Sequence, residues 1–248
     1  MRRILLAATF LLLVLLPVFG ITSVKAEPQG RAVIISSLEK YVPTAYLSEI
    51  IYALTSIGYN VTIVKDTSVT VSFLTTQLNN YDVVIWRTNA YSWMHREYWY
   101  LGELSNQATL QAYADDVANG WLDNTNGILG VNVDFFYNHF GRGSLANIKL
   151  AVLISTDSLM IAQVFMRAGV TSTIFYYGTI TLAYGVTDYT TRLVFMFLSR
   201  GQTVSDAVTN TIITYRLFNQ EDQLDSSYFP QIYFMGHANM TLRAALGT

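Results

Sequence analysis

The apolar run Lys149-Leu-Ala-Val-Leu-Ile154 stops at Ser155-Thr156-Asp157-Ser158, and a helical pattern follows at once. Small polar residues at the carboxyl end of a buried strand stand where open α/β sheets place their sites. A hydroxyl at that point attacks an acyl carbon only with a base in hydrogen-bond reach. The chain has three histidines, His95, His139 and His237. His95 lies a few residues beyond the third predicted strand, so Thr156 or Ser158 with His95 as base makes one candidate catalytic set. The competing reading leaves His95 in a surface aromatic loop and His139, within Asn138-His139-Phe140-Gly141, in a turn.

Other residues suit binding better than catalysis. Asp157, Glu103 and Asp188 offer oxygen ligands to a cation, but their spacing matches no known binding loop, so no metal and no cofactor is expected. Asp157 at a strand end equally suits a helix N-cap. Tyr91, Trp93, Tyr98, Trp99 and Tyr100 crowd together just after the third strand. Such a group makes a stacking surface for a sugar or peptide, or simply packs an insertion onto the sheet. The expected binding cleft is lined by Arg87, Asn89, Trp93, Glu103, Thr156 and Asp157.

The elements that position these groups alternate. Arg31–Ser36, Val61–Val64 and Asp82–Trp86 read as short buried strands, with helices opening at Pro43-Thr44 and spanning Val71–Leu78. Lys149–Ile154, Thr171–Tyr176 and Ile232–Met235 read as three more strands, with helices following Leu159 and spanning Thr187–Leu198 and Thr203–Arg216. Near-continuous apolar strands alternating with helices predict an α/β three-layer sandwich around a mainly parallel sheet. Residues 90–147 break the rhythm and are read as an aromatic-rich insertion of loops, with a short helix near Leu110–Val117, a hairpin, and a strand or extended segment at Val133–Phe136. With no repeat and no linker, residues 27–248 read as one domain.

Composition narrows the function classes. Met1-Arg-Arg3 followed by an uncharged run to Val24 and the small-residue site Val24-Lys25-Ala26 reads as a signal peptide over residues 1–26, hence a secreted or cell-surface protein. An uncleaved membrane anchor is the alternative. Of 15 basic residues, Arg2, Arg3 and Lys25 leave with the leader, so 12 face 17 acidic residues and the net charge is about −5. Without a basic run, no nucleic-acid partner is expected. The absence of cysteine excludes disulfides, thiolate metal sites and a cysteine nucleophile. Asn60-Val-Thr62 and Asn239-Met-Thr241 are sequons, making Asn60 and Asn239 glycosylation candidates.

Three stretches carry a family resemblance. They are Leu78–Asn89 with Gly102-Glu103; the fourth strand with Met160–Gly169, Thr173–Gly178 and Gly201–Val208; and Phe234–Leu242. Together they resemble the caspase-like cysteine peptidases of the gingipain and clostripain kind and the related CHAT domains. That resemblance implies a His at the position of Asn89 and a Cys at the position of Thr156, and this chain has neither. His237 and Ala238 also replace the family's Asp and Pro. The resemblance therefore implies a caspase-like pseudo-peptidase that binds a peptide or glycan, or acts in assembly with a surface protein. The alternative is a hydrolase rebuilt on Thr156 or Ser158 with His95.

Overall fold

The computed structural model describes residues 30–155, 158–177, 184–218 and 231–245. The expected leader, with Thr156 and Asp157, lies outside them. Among the described residues, no helix is long and apolar enough to cross a membrane.

The core is a six-stranded sheet. Its strands are β1 (Gly30–Ser36), β2 (Tyr59–Lys65), β3 (Val83–Arg87), β8 (Leu150–Ile154), β9 (Ser172–Tyr177) and β10 (Gln231–Gly236). The order is β10-β9-β8-β3-β1-β2, parallel except for β10, which runs antiparallel to β9. Successive side chains of a strand point to opposite faces, and here both faces are covered. Ile35, Trp86 and Leu153 enter one core; Ile34, Ile85 and Val152 enter the other. This is the expected three-layer α/β sandwich.

Helices α1 (Leu47–Ser56), α7 (Tyr184–Ser199) and α8 (Val204–Phe218) cover the second face. Ile50 and Leu54, one turn apart, bury the apolar stripe of α1, and Gly58 (φ 98°) ends it in the left-handed region that glycine tolerates best. Thr203 caps α8: its hydroxyl accepts from the Asp206 amide at 3.1 Å and donates to the Asp206 carboxylate at 2.8 Å, where a full capping box would have that carboxylate accept from the Thr203 amide. The start expected for α1 at Pro43-Thr44 is displaced. Thr44 is held by Glu39 instead, and α1 begins at Leu47.

The first face carries α2 (Val71–Gln77), α6 (Ser158–Arg167) and the insertion. The insertion holds a whole sheet, where loops, one short helix and a hairpin were expected. β4 (Ala90–Trp93), β5 (Arg96–Leu104), β6 (Leu122–Thr125) and β7 (Ile128–Asn132) form an antiparallel sheet in the order β4-β5-β7-β6. The short helix expected near Leu110–Val117 is two, α3 (Gln107–Ala112) and α4 (Ala114–Ala118). Val133–Phe136 is not extended but opens α5 (Val133–His139), because the Asn132 side chain accepts from the Phe135 amide at 3.1 Å and caps it. A final short helix, α9, covers Leu242–Ala245.

Trp99 joins the two sheets. Its ring meets Trp86 edge to face at 5.1 Å between centroids, and Phe136 packs on Trp86 from the other side. Gly102 lets β5 touch the turn before α2, since a Cβ there would lie 1.5 Å from the Asp66 carbonyl oxygen.

Candidate functional site

Between β1 and β3 the strand order reverses, and open α/β sheets bind ligands at the carboxyl ends of such strands. Here that crevice is filled. Arg87, the last residue of β3, donates from Nε to Asp188 of α7 at 2.8 Å and from a terminal nitrogen to the Val42 carbonyl at 2.8 Å. Asp188 also accepts from the Ala45 amide at 2.9 Å. Glu39 accepts from the Ser36 hydroxyl at 2.7 Å, from the Thr44 hydroxyl at 2.5 Å and from the Thr44 amide at 3.0 Å. These bonds hold residues 37–46 over the switch point.

The two carboxylates of this lock are tuned in opposite directions. Burial pushes Asp188 above the ordinary aspartate value, against the pull of Arg87 and the Ala45 amide. Burial also works to raise Glu39, but the hydroxyls of Thr44 and Ser36, the Thr44 amide and the charge of Arg87 together hold it below the ordinary glutamate value.

Other expected site residues are structural too. The Ser158 hydroxyl donates to the Ser155 carbonyl at 2.6 Å and accepts from the Ser155 amide at 3.2 Å, and it is fully buried at the start of α6. Glu103 accepts from the Val71 amide at 2.8 Å, holding the start of α2, and from the Tyr113 hydroxyl. Asn89 caps its own strand end, accepting from the Ala90 amide. His139 bonds Asp116 at 2.9 Å and packs on Phe135 and Trp121. His237 sits near the Ser172 end of β9, the amino edge of the sheet, opposite the expected site. Asn60 and Asn239 are both exposed. Among the described residues, no three acidic or histidine side chains gather as metal ligands.

Most of the aromatic cluster packs. Tyr91 lies against Tyr98 and Tyr100, its hydroxyl reaches Asp123 at 3.1 Å, and Gly130 makes room for its ring. Only Trp93 stands out, 53% exposed beside the hairpin tip. That tip carries an unusual backbone. Met94 (φ 48°) and His95 (φ 63°) are consecutive non-glycine residues in the left-handed region. They form the two-residue turn between β4 and β5, where such turns favour Asn-Gly.

The turn borders an open cleft of about 190 Å³ between the hairpin and the starts of α5 and α6. His95, Glu97, Trp99, Asn132, Asp134 and Met160 line it. Arg96 also borders it, turned to the Gly120 carbonyl at 2.9 Å and 3.6 Å from Asp134. Of these, sequence reasoning had singled out His95 and Trp99. Asn132, Asp134 and Met160 were missed, because they come from separate elements. The one available signal was Asn132 ahead of an apolar run, which is an N-cap pattern.

No family profile and no curated protein matches the chain. The solved structures it resembles include a putative phosphomethylpyrimidine kinase from Bacteroides thetaiotaomicron, at 10% identity and a TM-score of 0.34, covering 88% of this chain and 94% of that one. They also include the pyridoxal kinase of Staphylococcus aureus, with and without ADP, at 8% identity and a TM-score of 0.32, covering 83% and 98%. These are not caspase-like peptidases. The expected kinship with gingipain, clostripain and CHAT domains is therefore corrected, and the pseudo-peptidase reading and its rebuilt-hydrolase alternative fall with it. Physically, the motifs behind that resemblance were strand ends and helix caps, which any parallel α/β sheet requires. The kinase likeness is too slight to lend this chain a fold family or an activity.

Proposed function

We propose that this chain is a binding domain for a small organic cation, held in the cleft between the β4–β5 hairpin, α5 and α6. The observation that carries the reading is the left-handed pair Met94-His95. A left-handed L-residue costs about 1–2 kcal/mol. Such strain persists where the surroundings over-determine it, and it clusters at ligand clamps. Here the strain sets His95 at the mouth of the cleft.

The charge and shape of the cleft support a cationic ligand. Glu97 and Asp134 bring two carboxylates against the single guanidinium of Arg96, which is already engaged by Gly120 and Asp134. Trp99, Val133, Met160 and Ile161 provide an apolar floor, and Trp93, two residues before His95 in the hairpin, is exposed. Ammonium groups are attracted to tryptophan faces, and carboxylates complete their binding.

The test is an NMR titration of the domain with choline, tetramethylammonium and methylammonium. Saturable shifts at the Trp93 and Trp99 indole signals, weakened several-fold by Asp134→Asn, are the expected result. If none of these cations gives a saturable shift, the reading is wrong.

A further inference from the structure

The starts of the parallel strands share one edge of the molecule with the ends of the helices that return to them, and cations collect there. Arg31 is the second residue of β1, Lys149 immediately precedes β8, and Arg142 lies in the loop leading to it. That loop packs on the end of α6, where the Leu145 amide donates to the Ala168 carbonyl at 2.9 Å. Arg200 directly follows α7. The first amide of α8, four residues on, donates to the Met240 carbonyl, beyond the end that antiparallel β10 has at this same edge.

Arg31, Arg142 and Arg200 are exposed, and Lys149 is half-buried. Among the described residues, none of these four side chains takes part in an ion pair. A cation after a helix offsets the partial negative charge of its last carbonyls, which accounts for Arg200. Arg31 and Lys149 stand at strand starts, where no helix dipole calls for a cation. The acids that the same topology brings here are Asp82, which accepts from the Arg31 amide at 2.8 Å, and Asp206 in the first turn of α8. Away from this edge, acids outnumber cations among the described residues.

We propose that this edge docks on an anionic lipid bilayer, with the acidic remainder of the domain turned away from it. The chain ahead of β1 argues for that partner. Residues 4–24 are 21 consecutive uncharged residues, enough to cross a bilayer. β1 then begins at Gly30, on the basic edge. Six residue steps reach at most about 20 Å, so a bilayer entered by that run lies next to this edge. The run supplies proximity, and the cations supply orientation. Each Lys or Arg near an anionic surface strengthens the attraction roughly fivefold, and the attraction fades within a Debye length.

The chain has no cysteine, so a single introduced cysteine places a label uniquely. The full chain is labelled with a fluorophore either at Ser144→Cys, exposed in the loop before β8, or at Ser48→Cys, exposed in the first turn of α1 at the opposite edge. It is inserted into nanodiscs of phosphatidylcholine, alone or mixed with phosphatidylglycerol, that carry a headgroup quencher. The Ser144 label is quenched in the anionic discs, much less in the neutral ones, and recovers at about 1 M salt. The Ser48 label stays bright in both. Arg142→Gln with Arg200→Gln lowers the docking constant about tenfold or more. Equal quenching of the two labels overturns the proposal, as does equal quenching in neutral and anionic discs. So does undiminished quenching in the double variant, or a chain that inserts into neither disc.

Discussion

Two groups of polar side chains meet at the carboxyl edge of this molecule, and they are built on opposite principles. In the lock at β1 and β3, the carboxylates of Asp188 and Glu39 accept from side chains and amides of β1, β3 and the segment leading to α1. In the cleft under the β4–β5 hairpin, Glu97, Asp134 and His95 line open space, and the backbone that sets His95 there is strained. Partly or fully buried carboxylates held by several donors rigidify a structure, whereas strain at an open cleft trades stability for pre-arranged groups. The lock therefore belongs to the fold, and the cleft to binding.

Breaking the lock has the largest expected effect. Arg87→Met leaves the Asp188 carboxylate buried without its partner and lowers stability by about 3–5 kcal/mol, measurable by urea unfolding. An unchanged midpoint would show the pair to be dispensable and erase the contrast.

The cleft responds the other way. Replacing the turn by the sequence it favours, Met94→Asn with His95→Gly, relieves the left-handed strain and raises stability by about 1–2 kcal/mol. The same variant loses the cation response. A stabilised variant that still binds would separate the strain from the function.

The smallest effect is on pH dependence. Glu39 has a lowered value in the folded state, so its contribution to stability is complete above the ordinary glutamate value. That contribution is lost as the pH falls through the lowered value. Asp188, raised by burial, has the opposite sign: its contribution is complete below the ordinary aspartate value and is lost as the pH rises through the raised one. Subtracting the stability profile of Glu39→Gln from that of the parent isolates the Glu39 limb. The difference should be flat at neutral pH and should shrink only in acid.

The parallel sheet was legible because a strand buried on both faces writes itself as a short, nearly continuous apolar run. Val83–Arg87 and Leu150–Ile154 are such runs, and their bounds lie within one residue of the reading. The insertion was not legible for the same reason in reverse. Its turn uses Met94-His95 where Asn-Gly would announce a hairpin, and its helix at Val133 depends on a cap that competes with an extended reading. Arg87 shows the limit at the site. It was read as a ligand-binding residue, although an arginine ending an otherwise apolar strand calls for a buried carboxylate. That carboxylate, Asp188, lies 101 residues away.

The sequence by itself determined the layer architecture, the strand-to-helix rhythm and the exclusion of thiol chemistry, since periodicity and composition are local properties. Only the tertiary structure decided which polar groups satisfy one another and which line open space. That depends on distances between elements far apart in the chain, and it left the switch point closed and placed Asn132, Asp134 and Met160 in one cleft with His95.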